Sequence, residues 1–396
     1  MCIRDSYETL KNKRAMFTEF YGWEQPKWFV PEDQPLEDAH GWRRPAWYPA
    51  VAAECKAVRE RVGIMDLTAF SKYEVTGPDA HGFLNRITTG RIPGTDHRIA
   101  LNYVLNDKAR IETEVTVTRV AQDSYYVISG AMGERRDFDW ITQSIADDED
   151  VTVTDRSTGR GVLVLVGPQA REVLSAVTSA DVSNEAFPFL SSKPLSIAGV
   201  DVFALRVGFT GALGWELHME LDQMLLVYQA LWAAGEPHGI ADFGAHALNS
   251  LRIEKAYLTR NELTHDIGPI QAGVEFFVKR DKGDFVGKDA LDDLPTGNPW
   301  KLVYLDVAVP AWPDGGKEVA DCLGGEGVFT STGEAVGLTT SGGYGFTVDK
   351  SLAFAYVTAD HAAPGTELQV MILGKMHTAT VLDGPAWDPE NTHLRV

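Results

Sequence analysis

Hydrophobic and polar residues alternate with a period of two along RIETEVTVTR, from Arg110 to Arg119. This period predicts a β-strand, because successive side chains of a strand point to opposite faces. The two faces of the predicted strand hold different residues: Ile111, Thr113, Val115 and Val117 on one, and Glu112, Glu114, Thr116 and Thr118 on the other. Along a strand that rises about 3.3 Å per residue, Glu112 and Glu114 would stand about 6.6 Å apart. Two neighbouring carboxylates fit either a solvated sheet face or a site that uses negative charge.

The same period, together with the helical period near 3.6, places strands and helices along most of the chain. ALNYVL, RIETEVTVTRV and SYYVISGA predict antiparallel strands, and AVAAECKAVRERVGIMDL predicts a helix followed by a strand. YEVTGPDAHGFLNRI and GVLVLVGPQAREVLSAV share the order strand, Gly-Pro turn and helix, which indicates a diverged internal repeat. Together these segments predict an α+β fold.

Shifts in composition divide the chain into three parts. Residues 1–48 include WEQPKWFVPEDQPLEDAHGWRRPAW, whose tryptophans and prolines lack periodicity and predict an extended, aromatic-anchored arm. Residues 49–295 hold the α+β elements. Residues 296–396 change to short strands with glycine turns, such as WKLVYLDV and SLAFAYV, and predict a C-terminal β-barrel domain. We expect TSGGYG, from Thr340 to Gly345, to be a glycine turn between two of these strands.

Charge and cysteine content narrow the class of protein. The 396 residues carry a formal net charge of −20 at pH 7, which disfavours nucleic acids and anionic membranes as partners. No stretch of about 18 apolar residues predicts a membrane span. The three cysteines are far apart and form no CxxC pair, which fits a reducing compartment, the cytoplasm or, in a eukaryote, the mitochondrial matrix. A small organic ligand is the expected partner.

Common cofactor and metal motifs are missing from the sequence. It contains no GxGxxG, GxxxxGK[ST] or HExxH, so we expect no FAD site of the Rossmann type, no P-loop and no zincin site in this chain. His238 and His246 lie eight residues apart around a helix start, but no third ligand accompanies them. We therefore expect no metal site and assign both histidines to packing or surface roles.

The segment GFTGALGWELHME, from Gly208 to Glu220, has a pattern suited to ligand binding. Its glycines, three residues apart, let the backbone bend and approach a neighbour closely. They precede a strand on which Glu216 and His218 share one face and Trp215 lies on the other. The segment is either a hairpin with a solvated face or a ligand loop whose carboxylate accepts two parallel hydrogen bonds from a planar N–H pair. A pterin ring presents such a pair.

Several long motifs resemble the folate-binding aminomethyltransferase family, which includes the T-protein of glycine cleavage. They are, in chain order, GPQAREVL, GFTGALGWELHMEL, GAHALNSLRIEKAY and KGDFVGKDAL. EFYGWEQPKWF, GVEFFVKRDKGDFVGKDAL and GLTTSGGYGFTVDKSLAFAYV resemble the C-terminal half of dimethylglycine and sarcosine dehydrogenases. The resemblance extends from Phe17 to the C-terminus. It implies three domains arranged in a ring around a central channel that takes folate, with the β-barrel as the last domain.

The resemblance also assigns a catalytic residue. Glu114 matches the family aspartate that faces folate N10 and the one-carbon centre, so it is the expected catalytic residue. The sequence departs from the family pattern here, because the residue is Glu rather than Asp and Ala109-Arg110 replaces the preceding Gly-Gly. Glu112 would sit nearer the rim of the channel.

Five further positions are implied as cofactor-binding residues: Glu216, Phe209, Arg252, Leu101 and Ser129. Glu216 matches the carboxylate that binds the pterin edge, and Phe209 matches an aromatic residue that lines the same channel. Arg252 matches an arginine near the folate, although it could instead brace its helix together with Glu254.

The implied activity is tetrahydrofolate-dependent one-carbon transfer from a methylated amine such as dimethylglycine or sarcosine, giving 5,10-methylenetetrahydrofolate. Glu114 would stabilise the cationic iminium and accept a proton, and Glu216 would hold the pterin. An FAD-dependent oxidoreductase domain or subunit is the implied partner. The chain would be either a stand-alone transferase or a segment that follows a flavin half. The opening MCIRDS, which is not a secretory signal, favours the segment.

Two other functions stay open on the sequence. A non-catalytic folate-binding protein of the branch that supports iron–sulfur cluster assembly carries KGCYxGQE, where this chain has KGDFVGKDAL with Asp284 at the cysteine position. Folate-dependent O- or S-demethylases share the fold and would transfer the methyl group directly. Direct transfer would yield 5-methyltetrahydrofolate, so product analysis separates it from the amine-derived reaction.

Overall fold

The computed structural model describes residues 6–38, 41–293, 299–314 and 316–396. This described part contains the helices α1 Tyr7–Asn12, α2 Tyr48–Glu60, α3 Ala80–Ile87, α4 Glu134–Gln143, α5 Ala170–Val177, α6 Met224–Gly235, α7 Ala245–Glu254 and α8 Lys288–Asp292. Within the same ranges, no helix is long and apolar enough to cross a lipid bilayer. The strands form a hairpin, two open sheets and a closed barrel.

The N-terminal arm contains a β-hairpin of β1 (Ala15–Phe20) and β2 (Trp23–Phe29). Tyr21 and Gly22 connect the strands, and both have positive φ, as a two-residue hairpin turn requires. The sequence predicts an extended arm here without assigning a strand, and the structure shows that the extended segment is paired as strand β2. Pro26 hides the strand in the sequence, and the register shifts directly beside it, because Phe17 pairs with Pro26 and Met16 with Trp28, which leaves Lys27 as the extra residue of a bulge.

The aromatic anchoring of the arm is confirmed. Trp23 and Trp28 are buried against the body of the protein, whereas Trp42 is exposed. Farther along, Arg44 reaches the C-terminal barrel and forms a buried, two-point ion pair with Asp321. The arm therefore links the two ends of the chain.

The first open sheet is mixed and has six strands: β3 Gly63–Asp66, β9 Arg160–Val166, β10 Ser192–Ile197, β11 Val200–Leu205, β12 Gly214–Glu220 and β13 Ala241–Asp242. Their spatial order is β10-β11-β12-β9-β3-β13, and only β13 runs parallel to its neighbour. Helices α5 and α6 cover one face, where Trp215, Leu217 and Met219 of β12 are buried against them. The opposite face carries the other residues of β12.

The second open sheet is antiparallel and has five strands: β4 Ser71–Thr76, β5 Ile99–Leu105, β6 Ile111–Ala121, β7 Ser124–Ser129 and β8 Thr152–Asp155. Their spatial order is β5-β6-β7-β4-β8, which confirms the predicted run of antiparallel strands. Helices α3 and α4 cover the face that carries Val115 and Val117. Glu112 and Glu114 lie on the opposite face, as the alternation predicts.

The two segments predicted as a repeat have matching local structures. Strands β4 and β9 each lead through a glycine of positive φ, Gly77 and Gly167, into an eight-residue helix. Each glycine packs against backbone atoms closely enough to exclude a β-carbon. The same turn therefore directs a helix onto the outer face of each open sheet.

The C-terminal unit is a closed barrel of six strands: β14 Trp300–Val307, β15 Gly327–Phe329, β16 Ala335–Gly345, β17 Lys350–Thr358, β18 Glu367–Ile372 and β19 Lys375–Val381. The predicted barrel is confirmed, but the prediction of a turn at TSGGYG is wrong. Thr340 to Gly345 lie inside β16, with a bulge beside Thr339. Gly342 is required there because a β-carbon would meet the carbonyl oxygen of Cys322. The α+β fold with a terminal barrel is as expected, whereas the predicted boundary at 295/296 lies outside the described residues.

Candidate active site

Glu114 lies on the inner face of the five-stranded sheet, which is the face turned away from α3 and α4. It stands opposite Tyr103 of β5, whose hydroxyl donates a hydrogen bond of 2.6 Å to Glu114 Oε2. Burial raises the pKa of the Glu114 carboxyl, and the bond from Tyr103 lowers it in part. Among the residues that the structure describes, no arginine, lysine or histidine nitrogen lies within 4.0 Å of this carboxylate. Glu114 is therefore a carboxylate without a counter-ion.

Glu112 lies on the same face but has basic partners. Its carboxylate forms an ion pair with Arg136 of α4 and lies 3.6 Å from His265 Nδ1. The Asn106 amide donates a further hydrogen bond of 2.8 Å to Glu112 Oε1. The charge of Glu112 is therefore neutralised by the protein, which separates its role from that of Glu114.

The facing sheet contributes Glu216 and His218, which lie on one face of β12 as the sequence predicts. The His218 ring bridges two groups: its Nδ1 is 3.1 Å from the Tyr126 hydroxyl and its Nε2 is 3.5 Å from Glu216 Oε2. Burial lowers the pKa of His218, and Glu216 raises it in part. Tyr126 belongs to β7, so this chain of contacts joins the two open sheets.

Apolar side chains close one end of the space between the sheets. Ile99, Tyr126 and Ile128 of the five-stranded sheet form a cluster with Leu205 of β11 and the partly buried Phe203. Beyond that cluster the inner face stays partly accessible. Leu101 lies there, opposite Thr116 and one step along the sheet from Tyr103.

The inner face therefore connects the two carboxylates. Glu114 and Thr118 are four residues apart on β6, or about 13 Å, and Thr118 pairs with Tyr126. Tyr126 in turn contacts the His218–Glu216 pair. Glu114 and Glu216 thus lie on the facing inner sides of the two open sheets, and Leu101 lies on the same side as Glu114. We call the space between these two inner sides the cleft.

Phe209 lies in the loop before β12 and stacks on Tyr257, with ring centroids 5.7 Å apart and an interplanar angle of 24°. Both rings are partly exposed, so they form an aromatic wall rather than part of a core. Burial raises the pKa of Tyr257 to about 12, so its hydroxyl stays protonated at neutral pH.

Arg252 is buried, and protein groups occupy its guanidinium. Its nitrogens donate to the Asn249 side chain, the Ser341 hydroxyl and the Tyr257 carbonyl. Glu254, its suggested bracing partner, instead forms an ion pair with Arg59. These contacts favour the bracing interpretation, because Arg252 braces its own helix through Asn249 and also joins that helix to barrel strand β16 through Ser341.

Ser129 is a predicted site residue that lies on the other face of the five-stranded sheet from Glu114. It pairs with Val115, so its side chain lies on the helix-covered face, opposite to that of Glu114. There it is close enough to Asp137 to lower the pKa of that carboxyl, which burial raises. A side-chain contact from Ser129 into the cleft does not fit this position.

Two glycines of GFTGALGWELHME are required by packing within the protein. Gly211 has a φ of +80°, and a β-carbon there would collide with the Lys255 side chain. At Gly214, a β-carbon would lie 2.7 Å from the Leu165 carbonyl oxygen on the neighbouring strand. The backbone at these glycines approaches a neighbour closely, as expected, and in both cases the neighbour is another residue of the same protein.

Tyr103 and Tyr126 are site residues that the sequence interpretation missed. Both are buried, and each donates or shares a hydrogen bond with a group of the cleft. Their only sequence signal is their place on strands of the same sheet. The strand register, which the sequence leaves open, is what brings Tyr103 opposite Glu114.

Comparisons with known proteins agree with this architecture. The chain matches the family described as GCVT N-terminal domain over residues 6–282 and the Glycine cleavage T-protein C-terminal barrel domain over residues 309–388. An aminomethyltransferase from Symbiobacterium thermophilum is 31% identical over 386 residues, which cover 96% of this chain and 95% of that protein. The chain therefore belongs to the glycine cleavage T-protein family of aminomethyltransferases, as the sequence motifs indicate.

A solved structure and a second relative are also similar to this chain. The crystal structure of glycine cleavage system aminomethyltransferase T from Bartonella henselae matches with a TM-score of 0.81 at 24% identity, covering 97% of each chain. Mitochondrial dimethylglycine dehydrogenase from Mus musculus is 37% identical over 383 residues, or 96% of this chain. Those residues are 43% of that protein, so the chain spans less than half the length of this relative.

Proposed function

We propose that this chain transfers a one-carbon unit from a methylated amine, such as dimethylglycine or sarcosine, to tetrahydrofolate, giving 5,10-methylenetetrahydrofolate. The observation that carries the proposal is the contrast between Glu114, a cleft carboxylate without a counter-ion, and its neighbour Glu112, which is ion-paired. A solvated sheet face gives no reason for such a contrast. Membership of the aminomethyltransferase family supports the choice of folate.

The residues of the cleft fit a folate. Glu216 keeps part of its carboxylate accessible and can accept two parallel hydrogen bonds from the N–H pair of a pterin edge. His218 Nε2 lies 3.5 Å from that carboxylate, and Leu101 and the Phe209–Tyr257 stack offer apolar surface for the rings. When bound, tetrahydrofolate supplies the amine nucleophile that takes up the carbon.

Glu114 performs the electrostatic part of the reaction. Its uncompensated negative charge favours a cationic iminium beside it, because no arginine or lysine of the described residues competes for the carboxylate. Its raised pKa makes it a better proton acceptor than an ordinary glutamate, and Tyr103 fixes one oxygen. Positioned acid–base assistance of this kind accelerates reactions by roughly 100-fold to 10,000-fold.

The proposal includes a flavin-dependent oxidoreductase that supplies the iminium. Removing a hydride from the methylated amine gives the iminium. The transfer then releases the demethylated amine and one proton, and two N–H bonds of the folate are replaced by bonds to the carbon. The oxidoreductase is either a separate protein or another part of the same polypeptide. The dehydrogenase name of the mouse relative supports this partner.

The experiment measures folate binding first and the product second. In a thermal-shift assay, tetrahydrofolate at about 100 times its Kd stabilises the native state by roughly 2.7 kcal/mol, which raises the melting temperature. No shift at millimolar tetrahydrofolate, in a protein shown to be folded, contradicts the proposal. With an amine and a partner oxidase, 5,10-methylenetetrahydrofolate is the expected product. Formation of 5-methyltetrahydrofolate instead would assign the chain to direct demethylation.

A further inference from the structure

Two arginines meet on the helix-covered face of the six-stranded sheet: Arg171 of α5 and Arg206, which directly follows β11. Their guanidinium carbons lie 5.7 and 5.9 Å from the centroid of the Trp215 ring. Both guanidinium groups donate to the carbonyl oxygen of Val396, Arg171 Nη2 at 2.7 Å. We call Arg171, Arg206 and Trp215 the paired-arginine site. Trp215 and Glu216 are successive residues of β12 on opposite faces of the sheet, so this site is separate from the cleft.

The paired-arginine site contains buried N–H donors that have no acceptor. Arg206 is 1% exposed and Trp215 is fully buried. Arg206 Nη1 donates to Asn184 Oδ1 and to the Phe187 carbonyl oxygen, both at 2.6 Å. The Nε atoms of both arginines and Trp215 Nε1 are buried without a hydrogen-bond partner in the described part of the chain. Buried donors are normally paired, because an unpaired donor gives up its hydrogen bonds to water without compensation.

The site also brings two positive charges together. Among the described residues, no aspartate or glutamate carboxylate lies within 4.0 Å of either guanidinium. Burial, and to a smaller extent the charge of Arg171, lower the pKa of Arg206 to about 10, so Arg206 still carries its charge at pH 7. Two like charges that share one neutral acceptor in a buried place destabilise each other unless an anion lies between them.

We propose that the paired-arginine site binds a carboxylate, whose two oxygens accept hydrogen bonds from Arg171 and Arg206 at the position of the Val396 carbonyl oxygen. Guanidinium and carboxylate groups match each other in shape and form two parallel hydrogen bonds, which suits a buried site. Val396 is 54% exposed, so the site lies beside the protein surface. The carboxylate belongs either to the polypeptide, as a chain-terminal group at Val396, or to a small molecule from solution.

A purely structural role for the two arginines predicts a different result. Their hydrogen bonds to the carbonyl oxygens of Phe187 and Val396 would then fix the tail to the sheet whether or not a negative charge is present. The melting temperature would depend on the arginines but not on the charge of the group that they bind. Dependence on a carboxylate therefore separates the two roles.

The first experiment tests a carboxylate from solution. The 396-residue chain is melted at constant ionic strength while formate, the smallest carboxylate, replaces chloride. If the carboxylate comes from solution, we expect a saturable rise of at least about 2 °C in melting temperature. Arg206→Gln and Arg171→Gln should each remove this rise. Arg135→Gln is the matched control and should keep it, because Arg135 is exposed on α4 and the substitution removes the same charge.

The second experiment tests a carboxylate of the polypeptide. The 396-residue chain is compared with the same chain carrying a carboxamide at Val396, made by ligation of a synthetic tail peptide. If the polypeptide supplies the carboxylate, formate leaves the unmodified chain unchanged, and amidation lowers the melting temperature by at least about 2 °C. Formate should then restore part of the loss. In Arg206→Gln the acid and the amide should melt at the same temperature.

Each result decides the inference. A response to formate in the unmodified chain, or a loss on amidation, supports it and identifies the source of the carboxylate. If neither formate nor amidation changes the melting temperature, or if the effect survives both arginine substitutions, the inference is wrong. Arg171 is only partly buried, so Arg171→Gln provides the test if Arg206→Gln does not fold. No folate is present in these melts, so their outcome does not depend on the proposed function.

Discussion

Glu112 and Glu114 project from the same face of one strand, yet within the described part of the chain only Glu112 is paired with basic side chains. Glu114 accepts one hydrogen bond, from the Tyr103 hydroxyl, and no basic side chain of the described residues forms an ion pair with it. An isolated carboxylate at a partly buried position is costly, because burial disfavours the ionised form. A buried carboxylate that bears this cost beside an ion-paired one, as Glu114 does beside Glu112, is typical of a group that takes part in catalysis.

The two glutamates should differ in their effect on turnover. We expect Glu114→Gln to lower turnover by about 100-fold or more with nearly unchanged tetrahydrofolate binding, because the amide cannot stabilise an iminium or accept its proton. Glu112→Gln should change turnover by no more than a few fold. The assay is formation of 5,10-methylenetetrahydrofolate with a methylated amine and a partner oxidase. Equal, small effects of the two substitutions on turnover would contradict a catalytic role for Glu114 and support a solvated sheet face.

Glu216 should affect binding rather than chemistry. In Glu216→Gln the amide offers one acceptor oxygen and turns its NH₂ towards the pterin N–H pair, which leaves buried donors unpaired. Each unpaired group costs about 1 to 3 kcal/mol. We expect the Kd for tetrahydrofolate, measured by calorimetry, to rise tenfold or more, and turnover at saturating folate to fall far less than in Glu114→Gln. A normal Kd would remove Glu216 from the folate site.

Tyr103 should set the acidic limb of the pH profile. The Tyr103 hydroxyl stabilises the Glu114 anion and so lowers the pKa of that carboxyl. In Tyr103→Phe this hydrogen bond is lost, the pKa rises, and the anion that catalysis requires forms only at higher pH. The acidic limb of kcat/KM should therefore move to higher pH, while the alkaline limb stays. A uniform loss of activity with an unmoved limb would mean that Tyr103 acts only in packing.

The strands of the five-stranded sheet could be predicted from the sequence because each has one buried face, which gives a clean alternation. The alternation placed Glu112 and Glu114 on a common face. It could not tell them apart, because the partners of Glu112 come from α4 and from the loop that holds His265. These contacts span 24 and 153 residues of chain and leave no local pattern.

Other failures of the sequence interpretation have similar physical causes. Strand β2 escaped prediction because Pro26 breaks its pattern and the register shifts beside it, at Lys27. The glycines of TSGGYG suggested a turn, although at Gly342 the requirement is close packing against Cys322 inside a strand. Arg252 was equally ambiguous, since Ser341, one of its partners, lies 89 residues away. The family motifs predicted the fold, whereas side-chain pairing required the structure.

The link between the arm and the barrel gives a test of stability with a neighbouring control. Arg44 and Asp321 form a buried bidentate pair, joined by the Tyr48 hydroxyl. Arg44→Ala leaves Asp321 buried without its counter-ion, so we expect a loss of about 3 to 5 kcal/mol of unfolding free energy. Arg43→Ala removes an exposed pair with Glu318 and should cost no more than about 1 kcal/mol. Urea denaturation measures both, and equal losses would contradict the assignment of Arg44.

Glu114→Gln should also stabilise the fold, although it lowers turnover. The raised pKa of Glu114 means that the native state holds this proton more tightly than the unfolded chain does. Stability from this group is therefore present at low pH and is lost as the pH rises from the usual glutamate range through the raised native pKa. At higher pH the native protein therefore bears a free-energy cost at this carboxyl that the unfolded chain does not, and the amide removes that cost.

The gain should depend on pH in a way that identifies its origin. We expect Glu114→Gln to exceed wild type by on the order of 1 kcal/mol of unfolding free energy at pH 8, a typical gain when a strained functional group is removed. At pH 5 the difference should be smaller, because a protonated Glu114 resembles the amide. Glu112→Gln is the control and should lower stability at pH 8, since it breaks the ion pair with Arg136. If Glu114→Gln instead lowers the unfolding free energy at pH 8, Glu114 contributes to packing, because removing the charge raises stability only where the carboxylate has no counter-ion.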